Sequence, residues 1–377
     1  MTSTQQRTLD ATSFAELKAR AQQEIDQGHL PACQIALALD GELIAFETLG
    51  AATNDNRFVM FSTTKGLVNG LVWMLIGERK LDISKRVVDY FPEFGANGKD
   101  TVTVEQMLTY YSGFPLAPMP PEIWLDRAAR VEKMASWRTT STPGTRYEYP
   151  PTAVHWVIAE IIDRLTGGDY RQVLSERICA PLGLSFRLGV PLAEQGDIAT
   201  IELRGDPATP EELKAALGVS KLEVGEVTNE ALEAFNRPAF REAGVPGGGG
   251  VGTAADLAMY YQALLRNTHD LWDPAVLADG TGHIRVTAPD PLWGFAPANR
   301  TLGMIVAGDD GKAAARTLGH TVSPRAFGHP GAGGQLAWAD PETGLSFAFI
   351  TNGIDVHLIR QGRRGVSLSS KAGNCLT

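Results

Sequence analysis

Phe61-Ser62-Thr63-Thr64-Lys65-Gly66 is the stretch on which the reading of the whole chain turns. It opens a helical pattern in which Gly66, Leu67, Leu71, Leu75 and Ile76 can share one face, so a helix is expected from Ser62 onward. Serine and lysine at i and i+3 project from the same side of such a helix, and their side chains can meet. The amino end of a helix supplies free N–H groups and partial positive charge, which favour negative charge developing nearby. A lysine desolvated there loses its proton more readily and can accept the serine proton. The plainer alternative is a serine cap followed by a solvated lysine. Ser62 with Lys65 is the only Ser-x-x-Lys pair in the sequence.

Two further stretches carry chemistry. Pro143-Gly144-Thr145-Arg146-Tyr147-Glu148-Tyr149-Pro150-Pro151 precedes a helical pattern over 152–166. A tyrosine in so rigid a turn can be held at a helix mouth and pass a proton if cations stand beside it. The alternative is an aromatic packed at a helix entry. Phe327-Gly328-His329-Pro330-Gly331-Ala332-Gly333-Gly334-Gln335 leads into a strand. Its small residues let a substrate lie along the strand edge, and a backbone N–H there can complete an oxyanion hole. A flexible glycine turn with a structural His329 is the alternative.

Working outward, a helix is expected over 13–27, with Phe14, Leu17 and Ala21 at helical spacing. Asp40-Gly41 separates the apolar runs 33–39 and 43–46, a hairpin signal. Residues 335–339 and 345–351 flank Asp340-Pro341-Glu342-Thr343-Gly344 as a second hairpin. Thr103 and Thr253 read as helix caps, the latter with Asp256 in a capping-box position. The region 186–245 is less periodic and rich in Glu and Pro, and suits an insertion over a cleft. Strands at both ends with helices between predict an α/β fold. Its antiparallel sheet is built from both chain ends and flanked by helices, and a mostly helical domain is inserted. The expected division is 1–85 with 251–377 for the sheet domain and 86–250 for the helical one, with the active site in the cleft between.

Several other motifs fail their context. Gly247, Gly249 and Gly252 satisfy G-x-G-x-x-G, but no strand precedes them and Pro246 does, so a dinucleotide site is not expected. The Gly-x-Ser-x starts at Gly183 and Gly344 lack the closing glycine of a nucleophile elbow. His320 and His329 stand apart from carboxylates and cysteines, so no metal site is expected.

The bulk properties narrow the function classes. The chain has 377 residues, 44% hydrophobic and 20% charged, enough for a sizeable core. Its net charge of −9 argues against nucleic-acid binding. Cys33, Cys179 and Cys375 are scattered, as reduced thiols in a cytosol would be, and Cys33 reads as buried. The polar start MTSTQQRTLDATSF lacks the features of a secretory signal, and no apolar run is long enough to span a membrane. The expectation is therefore a cytoplasmic protein with no membrane or nucleic-acid partner. Its oligomeric state is open, homo-oligomerisation included.

Taken together and in order, the three stretches resemble the serine beta-lactamase-like superfamily. The resemblance is to its class C-like branch of family VIII carboxylesterases, related acyltransferases and D-amino-acid peptidases, and covers about Gly28 to Gly353. Residues 102–115, residues 247–257 and the Asp340–Gly344 turn look like the phrases between that family's catalytic motifs. The resemblance implies an acyl-enzyme on Ser62, with Lys65 and Tyr149 in proton transfer. It also implies an oxyanion hole of the Ser62 and Ala332 N–H groups, with Tyr110, His329 and Gly331 at the substrate and no cofactor. It leaves open whether Lys65 or Tyr149 is the base. Tyr149 is preferred to Tyr147 because its distance from Pro143-Gly144 matches the family phrase. The departures matter. Tyr149-Pro150-Pro151 lacks the side-chain amide of Tyr-x-Asn, and His329-Pro330-Gly331 lacks the cation of Lys-Thr-Gly. Tyr110 stands where many relatives have histidine. The losses suit an uncharged ester as the small-molecule substrate. Acyl transfer to another alcohol and an amide-directed activity are the alternatives.

Overall fold

Asp40 and Gly41 both take positive φ, 54° and 84°, which is the turn that matches the twist of flanking strands. The turn joins β1 (Ala32–Leu39) to β2 (Glu42–Gly50). At the other end of the sequence the turn at Asp340–Gly344 joins β5 (Leu336–Ala339) to β6 (Leu345–Thr351). Asp340 fixes that turn by accepting the Glu342 N–H at 2.9 Å. Between the two hairpins in sequence lie β3 (Ile305–Val306) and β4 (Phe327–Gly328). The strands form one antiparallel sheet in the order β2-β1-β6-β5-β4-β3, so β1 pairs directly with β6 near the end of the chain. This is a computed structural model, and it describes residues 7–222 and 225–377. The first residues of the polar amino terminus and two positions of the 186–245 region lie outside the described residues.

β1 is buried on both faces, and its two faces differ in size. Cys33, Ile35 and Leu37 point with Phe347 and Phe349 toward α1 (Ala11–Asp26) and α5 (Leu358–Ala372). Ala36, Ala38, Ala348 and Ile350 point toward α4 (Ala254–Arg266). Small residues on that face let α4 lie close to the sheet. The Thr253 cap forms as expected, with a reciprocal Asp256 partner. So does the Thr103 cap, with Gln106.

The long helix differs from the expectation. Phe61–Thr63 forms a tight 3₁₀ turn, and α2 runs over Thr64–Gly77. Ser62 therefore sits before the helix proper. α2 is buried on every side from Thr64 to Leu75, not only along the expected stripe, because it is packed on all sides in the middle of the fold. α3 (Ala153–Thr166) is likewise buried along most of its length. The region 186–245 is more than a helical cover. Arg187–Leu188 pairs with Gly250–Gly252, and Glu202–Arg204 pairs in parallel with Gly353–Asp355. Residues of 86–250 share one apolar core with β1, β5 and β6. The three cysteines are buried and unpaired, and burial pushes the Cys33 thiol up to about 12. Among the described residues no helix is long and apolar enough to cross a membrane.

Candidate active site

Ser62 is set by a backbone that departs from the ordinary. Phe61, just before it, has φ +46°, a left-handed conformation that costs a bulky residue free energy and persists only where its surroundings enforce it. Here the flanking groups do so. The Met60 N–H donates to Gly250 O at 2.8 Å, and the Thr63 hydroxyl donates to Met60 O at 2.8 Å. Gly331 approaches from the other side, so closely that a Cβ there would lie 2.8 Å from Met60 O.

Lys65 is fully buried one turn after Ser62. Its Nζ donates to Pro151 O at 2.7 Å, to Gly247 O at 2.6 Å and to Ser62 Oγ at 3.0 Å. Burial lowers its pKa from the usual amine value, the Arg300 charge adds to that, and the Tyr149 oxygen opposes it. With two N–H groups fixed on carbonyls, the third position faces Ser62. It holds a proton when the amine is charged and a lone pair when it is not. Pro151, where the family phrase has an amide side chain, thus contributes its carbonyl instead. Gly247, part of the glycine run read as a failed nucleotide motif, contributes the other. A Cβ at Gly247 would stand 2.9 Å from Pro151 O, so only glycine lets the two acceptors meet there.

Tyr149 completes the contact, its hydroxyl donating to Ser62 Oγ at 3.1 Å. Lys65 Nζ lies 5.3 Å from the centre of its ring and Arg300 Cζ 5.2 Å. Tyr147 is held elsewhere. Its hydroxyl donates to Asp290 at 2.6 Å and accepts from Arg300 Nε at 2.8 Å.

The remaining sequence candidates fall in two places. His329, Gly331 and Ala332 share with Ser62 and Tyr149 a cavity of about 1830 Å³. The N–H groups of Ser62 and Ala332 take no backbone acceptor among the described residues, whereas Gly331 N–H donates to Gln335 O at 2.8 Å. A carbonyl oxygen between Ser62 and Ala332 would meet two free donors. Tyr110, expected at the substrate, stands behind Tyr149 instead. It is 2% exposed, at φ +65°, edge-on to the Tyr149 ring with centroids 5.6 Å apart, and is absent from the cavity wall. His329 Nδ1 donates to Pro330 O at 2.7 Å. Burial, with the Arg300 and Lys65 charges, holds its pKa well below the ordinary 6.5, so it is neutral. Sequence reasoning missed Arg300, the two carbonyls on Lys65, and His155. His155 lies in the first turn of α3, buried, with both ring nitrogens unpartnered and its pKa well lowered by burial.

Comparison with known proteins follows the same lines. Residues 17–361 match the Beta-lactamase family. The chain is 26% identical over 349 residues to an esterase/beta-lactamase LipL of Mycobacterium tuberculosis, covering 84% of this chain and 76% of that one. A penicillin-binding protein homologue from Caulobacter crescentus superposes with a TM-score of 0.79 at 27% identity, over 98% of this chain and all of that one. A family VIII carboxylesterase superposes with a TM-score of 0.75 at 23% identity, over 98% and 100% of the two chains.

Proposed function

This chain belongs to the beta-lactamase family, and from that premise we propose that it is a serine hydrolase that cleaves carboxylic esters through an acyl-enzyme on Ser62. The observation that carries the reading is that Ser62 Oγ touches both Lys65 Nζ, at 3.0 Å, and the Tyr149 hydroxyl, at 3.1 Å, on the wall of a large cavity.

The Ser62 Oγ attacks the ester carbonyl carbon while its proton passes to the Lys65–Tyr149 pair. The carbonyl oxygen becomes an oxyanion held by the Ser62 and Ala332 N–H groups. The C–O bond to the alcohol breaks, and the alcohol leaves with the proton from the pair. Water then gives a proton to the pair and attacks the acyl carbon; the bond from that carbon to Ser62 Oγ breaks, and Ser62 takes the proton back from the pair as the carboxylic acid leaves.

Two features favour an uncharged ester over a beta-lactam. Neutral His329 offers no charge to a substrate carboxylate. Leu116 and Phe295, 57% and 51% exposed, give the cavity an apolar outer wall suited to an acyl chain or aryl alcohol. The esterase named among its relatives is consistent with this.

The test is intact-mass detection of a fluorophosphonate adduct mapped to its residue, followed by a panel of p-nitrophenyl esters, anilides, a D-alanyl dipeptide and nitrocefin. One adduct on Ser62, with rapid ester and slow nitrocefin turnover, is expected. An adduct on another residue overturns the nucleophile. Dipeptide or nitrocefin turnover without ester turnover moves the protein to the amide-directed reading.

A further inference from the structure

Arg300 belongs to none of the motifs, yet it is the charge nearest the reacting tyrosine besides Lys65. Its guanidinium, 1% exposed, lies between two rings, 4.9 Å from the centre of Tyr110 and 5.2 Å from that of Tyr149. Nε donates to Tyr147, which donates on to Asp290 Oδ2, and that carboxylate lies 4.0 Å from Arg300 Nη2. The other Asp290 oxygen accepts the Leu292 N–H at 2.9 Å and so ties the arrangement to the cavity wall at 292–297. Burial opposes the charge, but the Tyr147, Tyr110, Asp290 and Tyr149 oxygens outweigh it and hold the guanidinium protonated. Unlike an amine, it does not give up its proton in proteins.

Five groups bear on the Tyr149 ring and hydroxyl: Ser62, Lys65 from α2, Tyr110, Arg300 and His329. Burial and the Lys65 charge lower the pKa of His155 in α3, and Glu226 favours the charge on Lys65. Of these only Lys65 and Arg300 are basic side chains, and Arg300 is the one whose charge is constant through the reaction. Tyr110 accepts the cost of a left-handed φ in the position that offers its ring face to Arg300.

Resting on the ester-hydrolase reading, we propose that Arg300 is a positioning residue that acts through Tyr149. It is a constant positive charge beside the Tyr149 ring, and it stabilises the negative charge that develops on the Tyr149 oxygen while the Ser62 proton is in transit. The role fits the gap at His329, where the related phrase has a lysine and this chain has a neutral ring.

The experiment is kcat/KM for p-nitrophenyl acetate from about pH 5 to about pH 10 in wild type, Arg300→Gln and Arg300→Lys, with near-ultraviolet circular dichroism on each. Arg300→Gln is expected to move the ascending limb up by about one pH unit, which is about tenfold in rate at neutral pH, recovered under alkaline conditions. Arg300→Lys is expected to keep the limb within a few tenths of a unit. A uniform loss at every pH with the limb unmoved would reduce Arg300 to packing and overturn the proposal. So would an Arg300→Lys limb displaced as far as that of Arg300→Gln. If Arg300→Gln does not fold, Arg300→Lys decides alone: an unmoved limb supports the charge, and a limb moved by a unit overturns it. A wild type that turns over no ester fails the hydrolase reading itself, a result separate from all of these.

Discussion

Lys65 and Lys99 are two fully buried lysines in different regions of the molecule, and they are built alike. Lys99 Nζ donates to Ala96 O at 2.6 Å, to Ala135 O at 3.1 Å and to Trp137 O. It lies 5.1 Å from the centre of the Phe94 ring, much as Lys65 lies 5.3 Å from that of Tyr149. Burial lowers both, Lys99 to about 8 with help from Arg138. The difference is what stands third. All the acceptors on Lys99 are carbonyls, two of them at the end of the helix Arg127–Ser136, where an ammonium satisfies carbonyls with no helical partner. One acceptor on Lys65 is a hydroxyl, and the ring beside it carries another. Carbonyls can only receive a hydrogen bond, whereas hydroxyls can exchange a proton. A desolvated lysine is therefore not a sign of catalysis until a proton partner and an opening accompany it.

The largest effects separate the two lysines by activity. Lys65→Met and Ser62→Ala are each expected to lower ester kcat/KM by about a thousandfold or more, about 4 kcal/mol, while Lys99→Met stays within about threefold of wild type. A Lys99→Met enzyme as inactive as Lys65→Met would break the distinction. Denaturant unfolding should give the reverse order. Lys99→Met strands three buried carbonyls and should cost about 3 kcal/mol, whereas Lys65→Met strands two and should cost less. Next, Tyr149→Phe should slow turnover by about a hundredfold and Tyr147→Phe by less than tenfold. The opposite order would transfer the proton partner to Tyr147. The smallest effect concerns the histidine behind Lys65. His155 has its pKa well below 6.5 in the folded chain, so the unfolded chain binds the proton first as pH falls. Its contribution is intact above about pH 6.5 and is lost below it. Relative to wild type, His155→Leu should gain up to about 1.4 kcal/mol of unfolding free energy per pH unit on acidification. A pH-independent difference would mean that the ring is protonated in the fold.

The parts of this arrangement that are local in sequence were legible there. Asp40-Gly41, the Thr103 and Thr253 caps, and the apolar run Cys33–Leu39 follow from residues a few positions apart. The pairing of Ser62 with Lys65 is likewise a one-turn effect. Arg300 left no such trace, because everything that gives it meaning lies at positions 110, 147, 149 and 290. Gly247 was legible only as a glycine run, and its purpose is the close approach of its carbonyl to a lysine 182 residues away. Tyr110 was placed at the substrate by its position in a phrase, but its left-handed backbone turns the ring behind Tyr149. The tight turn at Ser62 was hidden because the strain sits in Phe61 and is supplied by Gly250 and Gly331.

The pairing of β1 with β6 has a consequence for how the protein comes to exist. The inner edge of β1 meets its neighbour only after about 300 further residues have been made, roughly 15–60 s at ordinary rates of synthesis. During that interval Cys33–Leu39 is a finished apolar strand with one side unclaimed, the kind of edge that joins other chains. Yield in a cell should thus depend on chaperone supply and growth temperature more than the stability of the finished fold would suggest, and a stop codon anywhere before Leu345 should produce aggregate instead of a weakened enzyme.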